Sequence, residues 1–415
     1  MTAPPRIAEL TIDKVGHQGD GVSADGVFAP LTLPGERVRA RIEGDRAEVL
    51  ELLQPSPERV APVSPHYGEC GGCSLQHWAA GPYLDWKREQ VRLALAREGL
   101  ETEVAPPFAC PPGARRRLAL HARPGRGGAV LGFKARKSWR LVEVVECPVA
   151  LPELVRALPA LRALAAGFLG HPKSAPTLHV TWTLSGLDVD VTGVERRSGG
   201  LSADRRMTIA EQAAAGDFAR VTLGGEILYQ ARQPVVRFGR AVVALPPGGF
   251  LQAVEAAETE MARLAVEAVD GAPRVADLFC GAGAFTFPLA ERSSVLAADA
   301  AAPAVTALKA AIGTAPGLKA ISAEARDLFR RPYSAGELKK VDAVVFDPPR
   351  AGAAAQAAEI AQSGAAVAVG ISCNPATFAR DARLLVDAGF RLEQVTPIDQ
   401  FLWSAHVELV GVFRR

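Results

Sequence analysis

The stretch "VADLFCGAGAFTF" at residues 275–287 decides the fold class of this 415-residue chain. An apolar strand ends near Asp277, and Gly281 and Gly283 then shape a turn into a helix. Glycines at such a turn let the backbone approach a ligand closely. A dinucleotide-binding turn would continue as GxGxxG, whereas here "AFTF" follows Gly283. The turn therefore favours S-adenosylmethionine over a dinucleotide.

Further apolar strands follow, separated by alanine-rich helical segments. They are "SSVLAADA" (293–300), "VDAVVFD" (341–347), "AVAVGISC" (366–373) and "HVELVGVFR" (406–414). This alternation predicts βαβ units and a parallel sheet covered on both faces, so residues 241–415 are expected to form a doubly wound, Rossmann-like α/β domain. Ligands of such sheets bind at the carboxyl ends of the strands.

Four of those strand ends carry reactive or polar side chains. Asp299 is placed to accept hydrogen bonds from ribose hydroxyls. Asp347 precedes two prolines, which form a rigid loop suited to holding a planar base. Cys373 lies just before a helix start, where a thiol can have a depressed pKa and act as a nucleophile. Glu408 is a lone carboxylate in an apolar strand and a candidate general base with a raised pKa.

The amino half has a different texture. Residues 1–55 consist of short alternating runs broken by glycine and proline, which predicts a small antiparallel barrel of the OB type. The proline-rich stretch at 54–65 predicts a linker, and residues 56–240 predict a mixed α+β middle domain. Between Arg115 and Arg140 nine lysines and arginines occur without an acid, and Phe133 and Trp139 lie among them. Such a basic stripe is typical of an RNA-binding surface.

Composition narrows the class of protein. Hydrophobic residues make up 48% and charged residues 22% of the chain, and the net charge is +2. These values indicate a globular protein. Without an apolar run of membrane length or a signal-like start, we expect a cytoplasmic monomer that does not contact membranes. Six cysteines in a reducing compartment predict metal binding where they cluster, as in the CxxC of Cys70 and Cys73.

These motifs together resemble a known family, the bacterial RNA uracil-C5 methyltransferases of the RlmD/TrmA group. The similarity rests on "DLFCGAGAFTFPLA" (277–290), "DPPRAG" (347–352), "SCNPATFARD" (372–381) and "HVEL" (406–409). The opening barrel is similar to the family's TRAM domain, and "PHYGECGGCSLQHW" (65–78) is similar to its iron–sulfur motif. The resemblance implies methylation of uridine at C5 in RNA, with ribosomal RNA favoured over transfer RNA.

The resemblance also implies roles for single residues. Cys373 becomes the nucleophile that attacks C6 of uracil, and Glu408 the base that removes the C5 proton. Phe250 becomes a neighbour of the target base. The family's S-adenosylmethionine contacts fall on Gln252, Phe279, Gly281, Gly283, Asp299 and Asp347. Ala284 and Val254 stand where similar enzymes usually have asparagine, and Asp299 replaces a more frequent glutamate.

The cysteine motif implies a [4Fe-4S] cluster held by Cys70, Cys73 and the distant Cys147. The family's first cysteine is Ser64 in this chain. The fourth ligand is therefore Ser64, Cys110 or an external group, and zinc or an empty relic is the alternative to a cluster. Two other functions stay open: a base-N RNA methyltransferase, which needs neither Cys373 nor Glu408, and a non-catalytic RNA-binding protein whose cofactor site has decayed.

Overall fold

The computed structural model describes residues 5–195 and 200–415. Its first five strands close into a barrel in the order β1-β2-β3-β5-β4. Their bounds are β1 Arg6–Val15, β2 Gly21–Ser23, β3 Phe28–Ala29, β4 Arg37–Glu43 and β5 Arg46–Gln54. Strand β4 buries every second residue, and Val38 and Ala40 are fully enclosed with Ile12. Alternation at a period of two thus builds the barrel's core and confirms the predicted barrel.

A helix and two short strands connect the barrel to the rest of the chain. They are α1 Ala80–Arg97, β6 Glu103–Val104 and β7 Phe108–Ala109. Both strands pair in parallel with a strand near the carboxyl end, Arg391–Asp399, and α1 contributes Val91 and Leu95 to the core on one face of that sheet. The chain therefore adds to the carboxyl-terminal sheet long before that domain begins in sequence.

A seven-stranded sheet forms the middle of the molecule, in the order β10-β9-β8-β11-β12-β13-β14. Its elements are β8 Arg117–Gly125, β9 Gly128–Lys134, β10 Leu141–Glu143, α2 Pro152–Arg156, α3 Leu158–Gly167, β11 Thr177–Thr183, β12 Gly186–Thr192, α4 Ala203–Ala215, β13 Arg220–Leu223 and β14 Glu226–Gln230. Leu161 and Leu164 of α3 pack with Ile209 of α4 over this sheet. A hairpin of β15 Val235–Phe238 and β16 Ala241–Ala244 follows.

The carboxyl-terminal sheet has the order β19-β18-β17-β20-β21-β23-β22-β6, with β7 beside β22. Its elements are α5 Glu255–Ala268, β17 Arg274–Leu278, α6 Thr286–Ala290, β18 Ser294–Asp299, α7 Ala302–Ala311, β19 Ile321–Ala325, β20 Ala343–Phe346, α8 Ala354–Gln362, β21 Val367–Ser372, α9 Pro375–Asp387, β22 Arg391–Asp399 and β23 Glu408–Arg414. Two 3₁₀ turns span Ile312–Thr314 and Glu337–Lys340.

Both faces of this sheet are buried. Along β20, Ala343 and Val345 belong to the core on one face, whereas Val344 and Phe346 belong to the core on the other. Strands β19, β18, β17, β20 and β21 are parallel, and β23 is antiparallel to β21. This confirms the predicted α/β sheet for β17, β18, β20 and β21 and brings their ends to one edge, whereas the expectation of a parallel strand at 406–414 is wrong, because β23 is antiparallel to both of its neighbours. In the described residues no helix is long and apolar enough to cross a membrane.

Candidate active site

The turn after β17 has an unusual backbone. Phe279, Gly281 and Gly283 all have positive φ, at 64°, 54° and 102°. A Cβ on Gly283 would lie 2.7 Å from the Phe287 ring, so this position needs glycine for space as well as for conformation. A Cβ on Gly281 would meet no atom within 4 Å, which leaves open space above the loop. The strained Phe279 marks the turn as a candidate ligand site.

Asp299, at the end of β18, holds this turn. Its carboxylate accepts hydrogen bonds from the amide of Gly281 at 3.0 Å and from that of Ala301 at 2.7 Å. These bonds link the glycine turn to the start of α7 and leave Asp299 partly exposed. The residue therefore orders the loop in the free protein, whichever group it binds in addition.

Asp277 of β17 lies near Asp299 and Asp347, although the sequence pattern marks it only as the end of a strand. Its side chain is fully buried, and Oδ2 accepts a hydrogen bond from the Thr286 hydroxyl at 2.5 Å. Oδ1 is buried and has no hydrogen-bond partner within the described residues. Burial raises the pKa of Asp277 to about 7, and the charges of Asp347 and Asp299 add to this effect. An acid inside an apolar strand is the sequence signal that marks such a residue.

A chain of buried amides connects the cofactor side of the site with Glu408. Gln252 donates from Nε2 to Asp347 Oδ2 at 3.2 Å. Gln400 donates from Nε2 both to Gln252 Oε1 at 2.8 Å and to Glu408 Oε2 at 2.7 Å. Its own Oε1 accepts a hydrogen bond from the amide of Ala253 at 3.1 Å. Gln400 therefore joins two predicted site residues to each other, a role that its sequence context did not indicate.

The carboxyl groups of this network have raised pKa values. Removal from water and the charge of Asp347 raise the pKa of Glu408, the Gln400 hydrogen bond lowers it, and together they bring it to about 8. The pKa of Asp347 rises to about 7 because the surrounding protein desolvates it and Asp299 is near. The raised pKa expected for Glu408 is thus present in the structure.

Cys373 lies beside Glu408. Strands β21 and β23 pair Ser372 with Leu409, so Cys373, which directly follows β21, continues toward Glu408, the first residue of β23. Desolvation raises the pKa of the Cys373 thiol to about 11, with further contributions from Glu408 and Asp347 and an opposing one from Arg350. The expectation of a depressed pKa at the helix start is therefore wrong for the free protein, because two nearby carboxylates and burial outweigh the helix.

The loop after Asp347 is tied to the segment of Cys373. Asn374 donates from Nδ2 to the carbonyl of Arg350 at 3.1 Å, and the Thr377 hydroxyl donates to the same oxygen at 3.3 Å. Asn374 also caps α9 by accepting from the amide of Ala376. The DPPRAG and SCNPATFARD motifs are thus joined by hydrogen bonds into one connected structure.

The basic stripe divides into two parts. Arg116 is only 5% exposed and bonds to the Gln252 carbonyl at 3.1 Å and to Glu258 at 2.8 Å. Arg117 donates to the Leu251 carbonyl at 2.5 Å, and its guanidinium lies 5.2 Å from the Phe250 ring, which is 69% exposed. These arginines support the segment that carries Gln252. The prediction that the whole stripe is a surface is therefore wrong at Arg116, because the charge is used in an internal ion pair.

One cavity of about 810 Å³ joins the modules of the molecule. Cys373, Gln400 and His406 line it from the carboxyl-terminal domain. Cys70, Cys73 and Arg136 line it from the middle of the chain, and His17 lines it from the barrel. A nucleotide placed at Cys373 would therefore be surrounded by all three modules.

The predicted metal-ligating cysteines converge without forming a complete site. Cys70, Cys73 and Cys147 line one small cavity together with Ser64, and the three cysteines are free thiols. Burial raises the pKa of each of these thiols. Cys110 lies instead in the apolar core near Lys87 and Asp399. No group of three or more histidine, cysteine or acidic side chains suited to a metal ion occurs in residues 5–195 and 200–415.

The donor set does not fit a cluster held by four thiolates, because Ser64 occupies the fourth place. The Ser64 hydroxyl accepts a hydrogen bond from the amide of His66 at 3.2 Å, and the Ser64 amide donates to Gln76 at 3.0 Å. The cysteine loop is further held by the Gly71 amide, which donates to the Lys134 carbonyl. Protein hydrogen bonds thus hold this loop in its folded form.

The residues around the glycine turn do fit S-adenosylmethionine. This cofactor carries an ammonium group, a positively charged sulfonium and a ribose, which need acidic and amide partners. The orphaned Asp277 oxygen, the open space at Gly281 and the cluster of Asp277, Asp299 and Asp347 supply them. Val254 is buried and Ala284 is packed against apolar neighbours, so these two positions contribute no polar contact.

Comparison with known proteins gives a consistent result. The model of the family described as tRNA (uracil-5-)-methyltransferase matches residues 239–415. An RNA methyltransferase of Caulobacter vibrioides is 67% identical over 413 residues, which cover 98% of this chain and 100% of that protein. The 23S rRNA (uracil(1939)-C(5))-methyltransferase RlmD of Halomonas elongata is 36% identical over 430 residues, covering 96% and 88%.

Among solved structures, the tRNA (uracil-54, C5)-methyltransferase of Pyrococcus abyssi, bound to S-adenosyl-L-homocysteine, is similar with a TM-score of 0.74. The sequences are 25% identical, and the match covers 98% of this chain and 99% of that one. Fold, site and these similarities define an S-adenosylmethionine-dependent methyltransferase. The chain belongs to the RNA (uracil-C5) methyltransferase family, as its motifs indicated.

Proposed function

We propose that this protein methylates C5 of a uridine in 23S ribosomal RNA through a covalent adduct between Cys373 and C6 of the base. The observation that carries the proposal is the register of β21 and β23, which pairs Ser372 with Leu409 and so supports a position of Cys373 near Glu408, whose charge influences the pKa of the thiol. A thiol and a base at one point are what C5 methylation of a pyrimidine requires.

The proposed reaction balances on the residues of this chain. The Cys373 thiolate forms a bond to C6, and the electron pair of the C5–C6 double bond moves into an enolate. C5 of the enolate takes the methyl group that bound S-adenosylmethionine would supply, and the electron pair of the broken sulfur–methyl bond stays on the cofactor's sulfur. Glu408 removes the C5 proton, and the electron pair of that C–H bond restores the double bond and expels the thiolate. The cysteine loop takes no part in these steps.

The raised pKa values bear on how the thiolate forms. In the free protein the carboxylates of Glu408 and Asp347 disfavour a neighbouring negative charge on Cys373. Occupation of the acidic cofactor pocket by a cation offsets part of that charge. We expect the Cys373 thiol to become a thiolate only when the cofactor pocket is occupied. In the free protein it therefore stays protonated and less reactive.

The neighbouring residues receive roles in the same proposal. Gln252, Phe279, Gly281, Gly283, Asp299 and Asp347 bind the methyl donor. Phe250, exposed at the edge of the site under Arg117, contacts the target base. Reaching C6 requires a base that has left its stack, so the target uridine is unpaired or flipped out.

Ribosomal RNA is favoured by the similarity to the Halomonas elongata enzyme over 96% of this chain. Transfer RNA is the second candidate, because the Pyrococcus abyssi enzyme named for a tRNA uridine covers nearly the same length. The barrel and the cysteine motif do not separate these two candidates, because the match with the Pyrococcus abyssi enzyme covers 98% of this chain.

The test is methyl transfer from labelled S-adenosylmethionine to ribosomal and transfer RNA from a deletion strain, with mass-spectrometric mapping of the product. We expect 5-methyluridine at one ribosomal position and none with Cys373→Ala. Glu408→Gln should instead trap a covalent protein–RNA adduct, since elimination needs loss of the C5 proton. An N-methylated base, or full transfer by Cys373→Ala, would contradict the proposal, and exclusive transfer to tRNA would contradict the choice of substrate.

A further inference from the structure

The turn between β9 and β10, residues 135–140, presents an aromatic ring to solvent among cationic groups. Trp139 is 85% exposed, and Lys134 Nζ lies 3.7 Å from the centre of its ring. Arg140 pairs with Glu69 at 3.0 Å and so supports the far side of the turn. An exposed tryptophan with a cation on one face is a preformed stacking surface for a planar group.

This turn is fixed in place from below. The Ala135 amide donates to the Arg140 carbonyl at 2.7 Å, and Ala135 pairs with Cys70 of the cysteine loop. A Cβ on Gly71 would lie 3.0 Å from the Lys134 carbonyl, so the cysteine loop packs directly under the turn. The turn is therefore a rigid support, which lowers the entropic cost of binding on it.

A buried acid of the barrel attaches the turn to a second module. Asp20 is only 1% exposed and accepts hydrogen bonds from Arg136, from Lys137 at 3.2 Å and from Arg46 at 3.1 Å. Arg46 and Lys137 remain about half exposed. These four residues, Asp20, Arg46, Arg136 and Lys137, form the junction between the barrel and the turn. Three cations surround one carboxylate, so the junction keeps a net positive charge of about two.

The junction borders the site. Arg136 and Lys137 line the same cavity as Cys373, and so does His17 of the barrel. Arg136 and Lys137 of the turn form part of the cavity wall, so RNA whose uridine enters at Cys373 can leave the cavity across this turn. Phosphates at that point would meet the half-exposed cations, and an unpaired base would meet the exposed ring.

We propose that the β9–β10 turn is an anchoring site for single-stranded RNA beside the methylated uridine. Trp139, backed by Lys134, stacks with one unpaired base, and Arg46 and Lys137, oriented by Asp20, bind adjacent phosphates. The assignment rests on the proposed RNA methyltransferase function and adds to it a site on the middle and barrel modules. The site selects unpaired RNA by stacking, so it tolerates any base.

Tryptophan fluorescence tests the stacking without catalysis. Trp78 and Trp86 are buried and Trp182 and Trp403 are partly buried, whereas Trp139 faces solvent, so a stacked base should quench the part of the emission that Trp139 contributes. Titration with a uridine-containing single-stranded oligoribonucleotide should quench wild-type protein and leave Trp139→Phe without that change. Trp139→Ala should bind roughly 5- to 100-fold more weakly. Trp139→Phe keeps a ring and should retain most of the affinity. Met207→Ala, at an apolar residue on α4 that is 61% exposed, is the control.

Salt dependence tests the phosphate contacts. Arg46→Ala and Lys137→Ala should each reduce the slope of log affinity against log salt by about 0.7, the value for one phosphate contact on a single strand. Lys309→Ala on α7 removes an exposed charge that does not line the cavity and should leave the slope unchanged. An unchanged slope in both junction variants would overturn the phosphate assignment.

The outcomes separate this inference from the proposed function. Wild-type affinity in Trp139→Ala, together with normal formation of 5-methyluridine, would overturn the anchoring site and leave the function standing. Quenching by RNA and loss of affinity in Trp139→Ala support the site even if no 5-methyluridine forms. Loss of self-association in Trp139→Ala, measured by light scattering, would assign the surface to a second copy and overturn the inference.

Discussion

Gln400 shows how much one uncharged side chain contributes to this site. It is 2% exposed, and its amide group contacts Gln252, Glu408 and the backbone at Ala253. The hydrogen bond that it donates to Glu408 favours the carboxylate over the acid. We infer that Gln400 is a positioning residue, which keeps the pKa of the proposed base from rising above about 8.

Replacing Gln400 by methionine should therefore change the pH profile. A base acts as carboxylate, so activity rises with pH through the pKa of Glu408. Loss of a hydrogen bond to a charged group costs about 1.5–3 kcal/mol, which moves the rising limb up by about one to two pH units. At pH 7 the rate should fall roughly tenfold or more and recover at higher pH.

Gln356→Met is the control for this experiment. Gln356 is buried to a similar degree and bonds to both backbone groups of Tyr333, away from Glu408. It should lower stability and leave the pH limb in place. A Gln400→Met enzyme with an unshifted limb would mean that Gln400 acts only on folding.

Ser64 decides the composition of the cysteine loop. With serine at this position the small cavity shared with Cys70, Cys73 and Cys147 offers three thiols, and the serine hydroxyl is already used within a turn. Ser64→Cys restores a set of four thiols. We expect the variant, after anaerobic reconstitution, to hold its full complement of cluster iron with broad visible absorption, and wild-type protein to hold clearly less.

Two variants test whether position matters here. Ser56→Cys adds a buried thiol outside this loop and should bind no additional iron. Cys70→Ala in the Ser64→Cys background should remove the gain. Wild-type protein that already holds a full, stable cluster would show that another group completes the set.

At the scale of elements, a buried ion pair fastens the segment between β22 and β23 onto α1. Lys87 and Asp399 are both fully buried, and Lys87 Nζ also donates to the carbonyls of His406 at 2.6 Å and Phe401 at 3.2 Å. Tyr83 donates its hydroxyl proton to Asp399 at 3.2 Å. The segment between these anchors begins with Gln400 and lines the cavity at Phe401 and His406.

Lys87→Met should lower the free energy of unfolding by about 3–5 kcal/mol, because Asp399 is left as an uncompensated buried charge. Adding Asp399→Asn should recover a large part of that loss. Arg92→Met on the same helix breaks an exposed pair with Glu89 and should leave the free energy of unfolding nearly unchanged. Chemical denaturation measures all three. A single and a double variant of equal stability would show that the pair is not coupled.

At the scale of the whole molecule, the barrel and the active-site segment share a small apolar core. Val15 and Leu33 of the barrel pack with Trp78 and Trp86, and Leu402 packs against the same cluster. The Trp86 indole donates to the Val15 carbonyl at 3.0 Å. The barrel is therefore expected to stabilise the segment that carries Gln400, in addition to any contact with RNA.

Leu33→Ala tests this coupling. Leu33 is fully buried, so its truncation should cost about 2–5 kcal/mol. Hydrogen exchange should increase at the Leu75 amide, which donates to the Trp403 carbonyl, as well as in the barrel. Ile7→Ala, at a barrel position that is 63% exposed, is the control and should change little. An increase confined to the barrel would mean that the modules unfold independently.

The local patterns of the sequence determined the strands of the carboxyl-terminal sheet and most of the residues at their ends. Apolar runs, glycine turns and a diproline act over a few residues, so they can be recognised without the fold. This is why Cys373, Glu408 and Asp347 were predicted together at one edge. Asp277 was not predicted as a site residue, because its distinguishing feature is a buried oxygen without a hydrogen-bond partner within the described residues. That feature depends on which residues lie nearby in the folded protein.

Only the tertiary structure decided how those residues are supported. Gln400 meets Gln252 across 148 positions of sequence, and Lys87 meets Asp399 across 312. The same long-range packing buried Arg116 and left Trp139 exposed, although both belong to one basic stripe. Charge and spacing are alike along that stripe, so the sequence alone shows which chemical groups the stripe contains but not which of them are exposed. Burial and partners, which set pKa and exposure, arise only when distant segments pack together.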